Sequence, residues 1–282
     1  MPRKYTPLRI HVWGGLGSQL FAIALSMEIS RKYPSRKIKL VLHSSGVTKR
    51  SPEICELFPE FDYQIVDDFR TRETHDSQVR SFSINKILRA TFRNLALFTA
   101  LLAEENNGHS RKVRRWTLSI RGHYFHRSIN EDFVALLRGR LENIASINVE
   151  KFRQETVIHY RLGDLLELSN KSNVNPNRIR NAVLQNLQTS EVTIFSDSTE
   201  KALTLLKGGL SDIRLVPGDL SALNILWAAS SAGTFIGTSS KISYWICILR
   251  FSRDRHLQSF LPKEDKLIID TISIVKSDIQ YY

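Results

Sequence analysis

Residues 8–20 read Leu8-Arg9-Ile10-His11-Val12-Trp13-Gly14-Gly15-Leu16-Gly17-Ser18-Gln19-Leu20. The run from Leu8 to Val12 is short and rich in apolar residues, and glycines interrupt it at 14, 15 and 17. From Gln19 the spacing changes. Leu20, Ile23, Ala24, Met27 and Ile29 recur at helical intervals and mark one apolar face. The stretch therefore predicts a strand, a tight glycine turn and a helix. Residues 38–42 predict a second strand and residues 63–66 a third. Such an alternation favours a parallel sheet with crossover helices.

The second half of the chain repeats the pattern more regularly. Residues 156–160, 192–195, 213–216 and 234–236 predict strands. Residues 179–187, 199–206, 220–229 and those from Ser243 onward predict helices. Repeated strand–helix units make a doubly wound α/β fold the expected class. Between the halves, residues 84–102 and 133–141 predict helices, and the polar stretch 104–110 a loop. A chain of 282 residues is too long for one small domain and suits two. The junction is expected near residues 148–154, which gives lobes 1–150 and 151–282.

Hydrophobic residues make up 42% and charged residues 24%, the balance of a soluble chain that buries a real core. Cys55 and Cys247 are too few for a disulfide framework, so a reducing cytosol is expected. The basic start is followed by a stretch broken by glycines, which does not read as a secretory signal. The best apolar run, 242–249, falls far short of the roughly 20 residues that span a bilayer. A cytoplasmic protein or a shortened chain is the reading these features favour.

The net charge of +12 implies anionic partners: nucleic acid, anionic lipid headgroups or phosphorylated substrates. Basic residues cluster at Arg70, Arg72 and Arg80, at 111–115 and at 250–255, and read mainly as a solvated basic surface. With no spanning segment, these clusters also suggest peripheral docking on an anionic inner membrane. Nucleic-acid binding is the rival reading. No basic recognition helix, RNA-binding aromatic pair or zinc signature supports it.

Four short motifs could carry chemistry. The first is Gly14-Gly15-Leu16-Gly17-Ser18-Gln19, where glycines let backbone amides approach a ligand at a helix start. It lacks the third glycine of the dinucleotide fingerprint and the lysine of a P-loop, and a purely structural turn is the other reading. The second is His159-Tyr160-Arg161-Leu162-Gly163-Asp164, directly after a predicted strand and so at the edge where open α/β sheets bind ligands. Arg161 offers a planar fork to phosphate, His159 can bond a base or sugar, and Asp164 could fix either; a loop salt bridge between Arg161 and Asp164 is the alternative. The third is Phe195-Ser196-Asp197-Ser198. Asp197 there could accept hydrogen bonds from guanine, or Asp197 or Ser198 could cap the following helix. The fourth is Gly237-Thr238-Ser239-Ser240-Lys241-Ile242-Ser243-Tyr244-Trp245, a hydroxyl-rich turn that could hold phosphate or serve as an ordinary N-cap.

Taken in order, these motifs resemble the α-1,2-fucosyltransferases, with a more distant likeness to α-1,6- and protein O-fucosyltransferases. Gly14 to Gln19 is similar to that family's Gly-x-Leu-Gly-Asn-Gln start, and 159–164 to its His-x-Arg-Arg-Gly-Asp motif. Residues 237–245 are similar to its Asn-Ser-Ser-Phe-Ser-Trp-Trp segment, and Gly122-His123-Tyr124-Phe125-His126 stands near its aromatic element. Ser18, Leu162, Thr238, Lys241 and Tyr244 depart from the pattern, so the chain resembles a divergent branch.

The resemblance implies a GT-B-like fold of two facing Rossmann-like lobes with mostly parallel sheets, the first on the acceptor side and the second binding the nucleotide sugar. It implies an inverting transfer of L-fucose or a related sugar from a GDP-sugar to a glycan or lipid-linked acceptor, in surface polysaccharide or O-antigen synthesis. Donor-binding residues would be Gly15, Gly17, Ser18, Gln19, His159, Arg161, Asp197, Ser239 and Ser240, with Arg161 and Asp164 as catalytic candidates. No metal or other cofactor is expected beyond the GDP-fucose substrate, since a cationic side chain can stabilise the leaving diphosphate. His123 and His126 have metal-ligand spacing but no evident third ligand, and are expected in the acceptor cleft or on the surface. The departures at Ser18 and Leu162 leave a catalytically inactive nucleotide-sugar-binding protein as a further alternative.

Overall fold

The computed structural model describes residues 6–43, 52–67, 84–106, 109–110, 113–125, 127–162, 176–186, 191–207, 212–216, 220–253, 257–272 and 279–282. The chain divides into two compact units, Met1–His126 and Arg127–Tyr282. Each is built on its own sheet, so the expected α/β class with mostly parallel sheets holds.

The first unit contains β1 (Leu8–Trp13), α1 (Leu16–Lys32), β2 (Ile38–His43), α2 (Ile54–Leu57), β3 (Asp62–Val66), α3 (Ile84–Phe98), β4 (Leu102–Asn106), β5 (His109–Ser110) and β6 (Ser119–Gly122). The sheet order is β3-β2-β1-β6-β4-β5, and every neighbour pair is parallel except the β4–β5 hairpin. In β1, Leu8, Ile10 and Val12 are buried, while Arg9 is exposed and His11 and Trp13 are half-buried. The strand thus covers one face and leaves the other partly open. Helix α1 packs on β1 and β2 and is buried on most sides, through Leu16, Leu20, Phe21, Ile23 and Leu25 among others.

Of the expected loop 104–110, residues 104–106 and 109–110 are strand, and 107 and 108 lie outside the described residues. Their polar composition hides a strand, because Leu102 to Glu105 pair in parallel with β6 while Leu102, Ala103 and Glu105 are buried. Gly122 permits that pairing. Its φ is +156°, and a β-carbon there would lie 2.3 Å from the Glu105 carbonyl oxygen, so no side chain fits.

The second unit contains α4 (Glu131–Ile144), a short 3-10 turn (Glu150–Phe152), β7 (Thr156–His159), α5 (Pro176–Asn186), β8 (Glu191–Phe195), α6 (Thr199–Leu206), β9 (Asp212–Leu215), α7 (Ala222–Ser230), β10 (Thr234–Gly237), α8 (Lys241–Arg253), β11 (Gln258–Leu261), α9 (Lys266–Ile272) and β12 (Ile279–Tyr281). Its six strands are all parallel, in the order β9-β8-β7-β10-β11-β12. Counted from β7 as the first, this is the 3-2-1-4-5-6 order of a dinucleotide-binding doubly wound sheet. All residues of β7 and β10 are buried, as expected for central strands covered on both faces. Ile158, Tyr160, Ile179, Val183, Ile194 and Leu206 belong to one core cluster there.

Helix α4 explains where the chain divides. Asn130 caps its start by accepting from the Asp132 amide at 2.7 Å, and the helix then packs on α7 and α8. Phe133 meets Trp245 edge to face at 5.6 Å. The division therefore falls ahead of the junction expected near 148–154. Arg250 of α8 also departs from expectation. It was grouped with a solvated basic surface, yet it is completely buried. Its guanidinium donates to the carbonyls of Ala232, Gly233 (3.0 Å) and Gln258 (2.8 Å) and to Ser259 Oγ (3.0 Å). Arg70, Arg72 and Arg80 lie outside the described residues.

Candidate functional site

The strand order of the second sheet reverses between β7 and β10, and a doubly wound sheet forms its ligand crevice outside the carboxyl ends at that point. His159 and Gly237, the last residues of these two strands, are register partners. The next residues knit the edge together. Thr238 donates through both its amide (3.2 Å) and its hydroxyl (3.1 Å) to the His159 carbonyl, and its hydroxyl accepts from the Arg161 amide at 3.1 Å. Asp197 Oδ1 accepts from the Leu162 amide at 2.8 Å, which fastens the turn to the end of β8. Tyr160 and Leu162 are buried and Arg161 between them is half-buried, so alternation turns Arg161 away from the core.

The helix start across the crevice is equally built. Ser240 Oγ accepts from the Ser243 amide at 3.1 Å, an N-cap for α8. The Ser243 hydroxyl shares a 2.8 Å hydrogen bond with His159 Nδ1. Ser239 Oγ donates to both oxygens of Asp265 at 3.0 Å, and the Tyr244 hydroxyl donates to Asp265 Oδ1 at 2.9 Å. The Ser239 and Ser240 hydroxyls are thus engaged with protein. What this turn can offer an anion is the positive end of a 13-residue helix.

The electrostatics point the same way. Burial, then the Arg161 charge, pushes the Lys241 ammonium down to about 8. Burial and Arg161 likewise lower His159 to about 4, against a smaller opposing effect of Asp197, so its imidazole is neutral near pH 7. Burial raises Asp265 above the usual carboxylate range, although Tyr244 and Ser239 donate to it. Two cations that disfavour one another beside a helix start can attract an anion.

Of the expected site residues, His159, Arg161, Asp197, Ser239 and Ser240 are gathered at this one edge. Asp164 and Gly163 lie outside the described residues, as does His126. Asp197 holds the turn rather than capping α6. The N-cap of α6 is Ser198, and its side chain makes no capping bond. Leu162, where the resembling family has an arginine, is a core residue. Lys241 and Ser243 lie inside the fourth motif without a role of their own there, and Asp265 lies outside every motif. Lys241 was visible only as a departure from an aromatic, and no local motif marked Asp265.

The glycine turn belongs to the first unit. Gly14 has φ +98°, a region that favours glycine, and Gly15 is the N-cap of α1 without a side-chain cap. Gln19 is buried. Its Nε2 donates to the Gly14 carbonyl at 3.3 Å, and its Oε1 finds no hydrogen-bond partner among the described residues. Gly17 and Ser18 are also buried in the first turn. Beside them stands an aromatic group absent from the sequence reading. Trp13 stacks on His43 at 4.4 Å, and His11 Nδ1 lies 2.9 Å from His43 Nε2. Burial, with Arg121, His43 and Arg9, lowers His11 to about 4. Tyr124, at φ +58°, donates to the His11 carbonyl at 2.6 Å.

No family model and no curated protein sequence matches the chain. Among solved structures it is similar to the E. coli heptosyltransferase WaaC with ADP, at 12% identity over 93% of this chain and 90% of that one, with a TM-score of 0.46. It is similar to the glycosyl transferase family 9 protein from Veillonella parvula, at 11% identity over 93% and 82%, with a TM-score of 0.45. Similarity to POFUT1 in complex with GDP is 10% identity over 88% and 95%, with a TM-score of 0.36.

Proposed function

We propose that the chain is an inverting glycosyltransferase that moves L-fucose, or a related sugar, from a GDP-sugar to a hydroxyl of a glycan or lipid-linked oligosaccharide. The observation that carries this reading is the edge at the β7–β10 reversal, where Arg161, Lys241 and the start of α8 converge beside a neutral His159. That arrangement suits a nucleoside diphosphate. The resemblance to α-1,2-fucosyltransferases supplies the guanine base and the sugar.

In this reading Arg161 and Lys241 neutralise the leaving diphosphate. The acceptor oxygen attacks the anomeric carbon as the bond from that carbon to the phosphate oxygen breaks, and its electron pair leaves with GDP. The hydroxyl proton passes to a base, for which Asp164 is the candidate in the motif. His159 and Asp197 stand toward the base of the nucleotide. Gly15, Gly17, Ser18 and Gln19 are the donor-binding candidates of the first unit. The reaction belongs to surface polysaccharide or O-antigen synthesis, in the cytoplasm and on an anionic inner membrane that the chain touches without crossing. Among the described residues no helix is long and apolar enough to cross a membrane.

Parallel titration of GDP, UDP and ADP tests the donor class. The expected result is tightest binding of GDP, and a clear preference for UDP or ADP would overturn the assignment. Incubation with GDP-fucose and a panel of galactosides then tests the chemistry. An α-linked product supports single displacement, and a β-linked product removes it.

A further inference from the structure

The amino ends of β1, β2, β4 and β6 lie together in the first unit, at the edge of the sheet opposite the glycine turn. A cleft of about 1000 Å³ opens there. Its apolar lining includes Tyr33, Leu101, Trp116 and Leu118, and its charged lining is Lys32, Arg36 and Arg115. No carboxylate is among the described residues that line it.

The cleft is rigidly framed. The Tyr33 hydroxyl donates to the Val113 carbonyl at 3.2 Å, and Arg36 Nη1 to the Arg114 carbonyl at 3.1 Å. The Arg114 guanidinium lies over the Trp116 ring at 5.3 Å. Trp116 Nε1 donates to the Thr99 carbonyl at 3.2 Å, just past the end of α3. That bond joins the cleft to a second feature.

Helix α3 meets the sheet lightly: among its residues of described burial, only Ala96 and Leu97 are as much as half-buried. Arg93, itself half-exposed, forms a two-pronged salt bridge with Glu104 of β4. Leu88, Phe92 and Leu95, which share one face at helical spacing, point to solvent. Phe92 is 69% exposed, Phe98 88% and Trp116 53%. An amphipathic helix normally buries such a stripe. Here an apolar ridge roughly 15 Å long runs toward a cationic, aromatic cleft.

We propose that this surface docks on an anionic phospholipid bilayer. Phe92, Leu95 and Phe98 enter the acyl boundary, Trp116 sits at headgroup level, and Lys32, Arg36 and Arg115 meet lipid phosphates. The charge of the cleft argues for a lipid surface over a second copy of the chain, whose own net charge of +12 would be repelled. A soluble nucleotide would use the cations but leave the ridge uncovered. The inference rests only on the membrane part of the proposed function, and the donor chemistry does not enter it.

Co-sedimentation with vesicles of phosphatidylcholine, alone or mixed with phosphatidylglycerol, tests it. The bound fraction should rise severalfold with phosphatidylglycerol and fall with added salt. The double variant Lys32→Gln, Arg115→Gln should weaken binding by roughly 25-fold, about fivefold per charge. Phe92→Glu should abolish it. Brominated acyl chains should quench tryptophan emission in the wild type and far less in Trp116→Phe. All variants should keep GDP affinity, so a failed docking surface and a failed donor site give different results. Equal recovery on neutral vesicles, or unchanged binding by Phe92→Glu, would overturn the proposal. So would Phe92-dependent self-association by light scattering without lipid, which would assign the ridge to a second copy.

Discussion

Each unit carries a strand–turn–helix junction at the carboxyl edge of its sheet, after β1 in the first and β10 in the second, and the two are built with opposite chemistry. In the first, β1 passes through Gly14 and Gly15 into α1, with no side-chain cap and no acidic residue in the first turn. In the second, β10 passes through Thr238, Ser239 and Ser240 into α8. There the hydroxyls cap the helix, bridge the strands and hold Asp265, while a half-buried lysine opens the helix. The sheets differ to match. Strand β1 alternates between buried and open positions, whereas β7 and β10 are buried throughout. In the proposed donor reading, the glycine turn would admit a ligand by leaving space, while the hydroxyl turn would fix charges in place before the ligand arrives.

The largest test of that contrast is Arg161→Ala. Loss of a partly buried, charge-assisted contact should weaken GDP binding by about 1.5–3 kcal/mol by calorimetry. Gln19→Ala should cost only a fraction of that. Equal losses would erase the distinction between a principal and a lesser donor contact. Next comes Gly14→Ala. Its φ of +98°, and a β-carbon placed 2.9 Å from Ser18 Oγ, should destabilise the protein by about 1–3 kcal/mol in denaturant titration.

The pH dependence of the second junction follows. Lys241 is protonated below about 8, and the bound diphosphate favours that form. GDP affinity should hold near pH 7 and weaken by about tenfold between pH 7 and pH 9. Lys241→Met should flatten this slope, and a slope that persists in the variant would remove Lys241 from the site. The smallest effect concerns the cap. Ser240→Ala should cost about 1 kcal/mol, and Ser240→Gly only a few tenths. A Ser240→Ala variant as stable as wild type would mean that the hydroxyl turn gives α8 nothing the glycine turn lacks.

The second unit was the more legible in sequence because short apolar cores such as Val157-Ile158, residues 192–195 and Phe235-Ile236 alternate with stretches of helical spacing. Residues 192–195, 199–206 and 234–236 fall within an element or one residue of it. The first unit hid more. Ser119–Gly122 and Leu102–Asn106 are strands that mix charge with few apolar residues. Their identity comes from pairing with one another and from the bare backbone at Gly122. Gln258–Leu261 and Ile279–Tyr281 are too short to show a period. At the site, the sequence marked the residues on the strand edge. It could not mark Asp265, which reaches Ser239 and Tyr244 only through the fold. Nor could it separate Arg250 from its basic neighbours, since burial of an arginine depends on carbonyls brought from three other segments.

Arg250 has a consequence for how this protein can vary. It stands ten residues from Ser240 on a continuous helix, about 15 Å along the axis. Its four bonds to Ala232, Gly233, Gln258 and Ser259 fix the axial setting of α8 from the far end, like an index pin on a shaft. Lysine has no planar fork to reach several acceptors at once. A drift at position 250 would therefore be read out as a sliding of Lys241 and Ser243 relative to Arg161 and His159, and a displacement near 1 Å is enough to cost catalysis heavily. Substitutions at the helix start would therefore leave the axial setting of α8 in place as long as this arginine keeps its four acceptors.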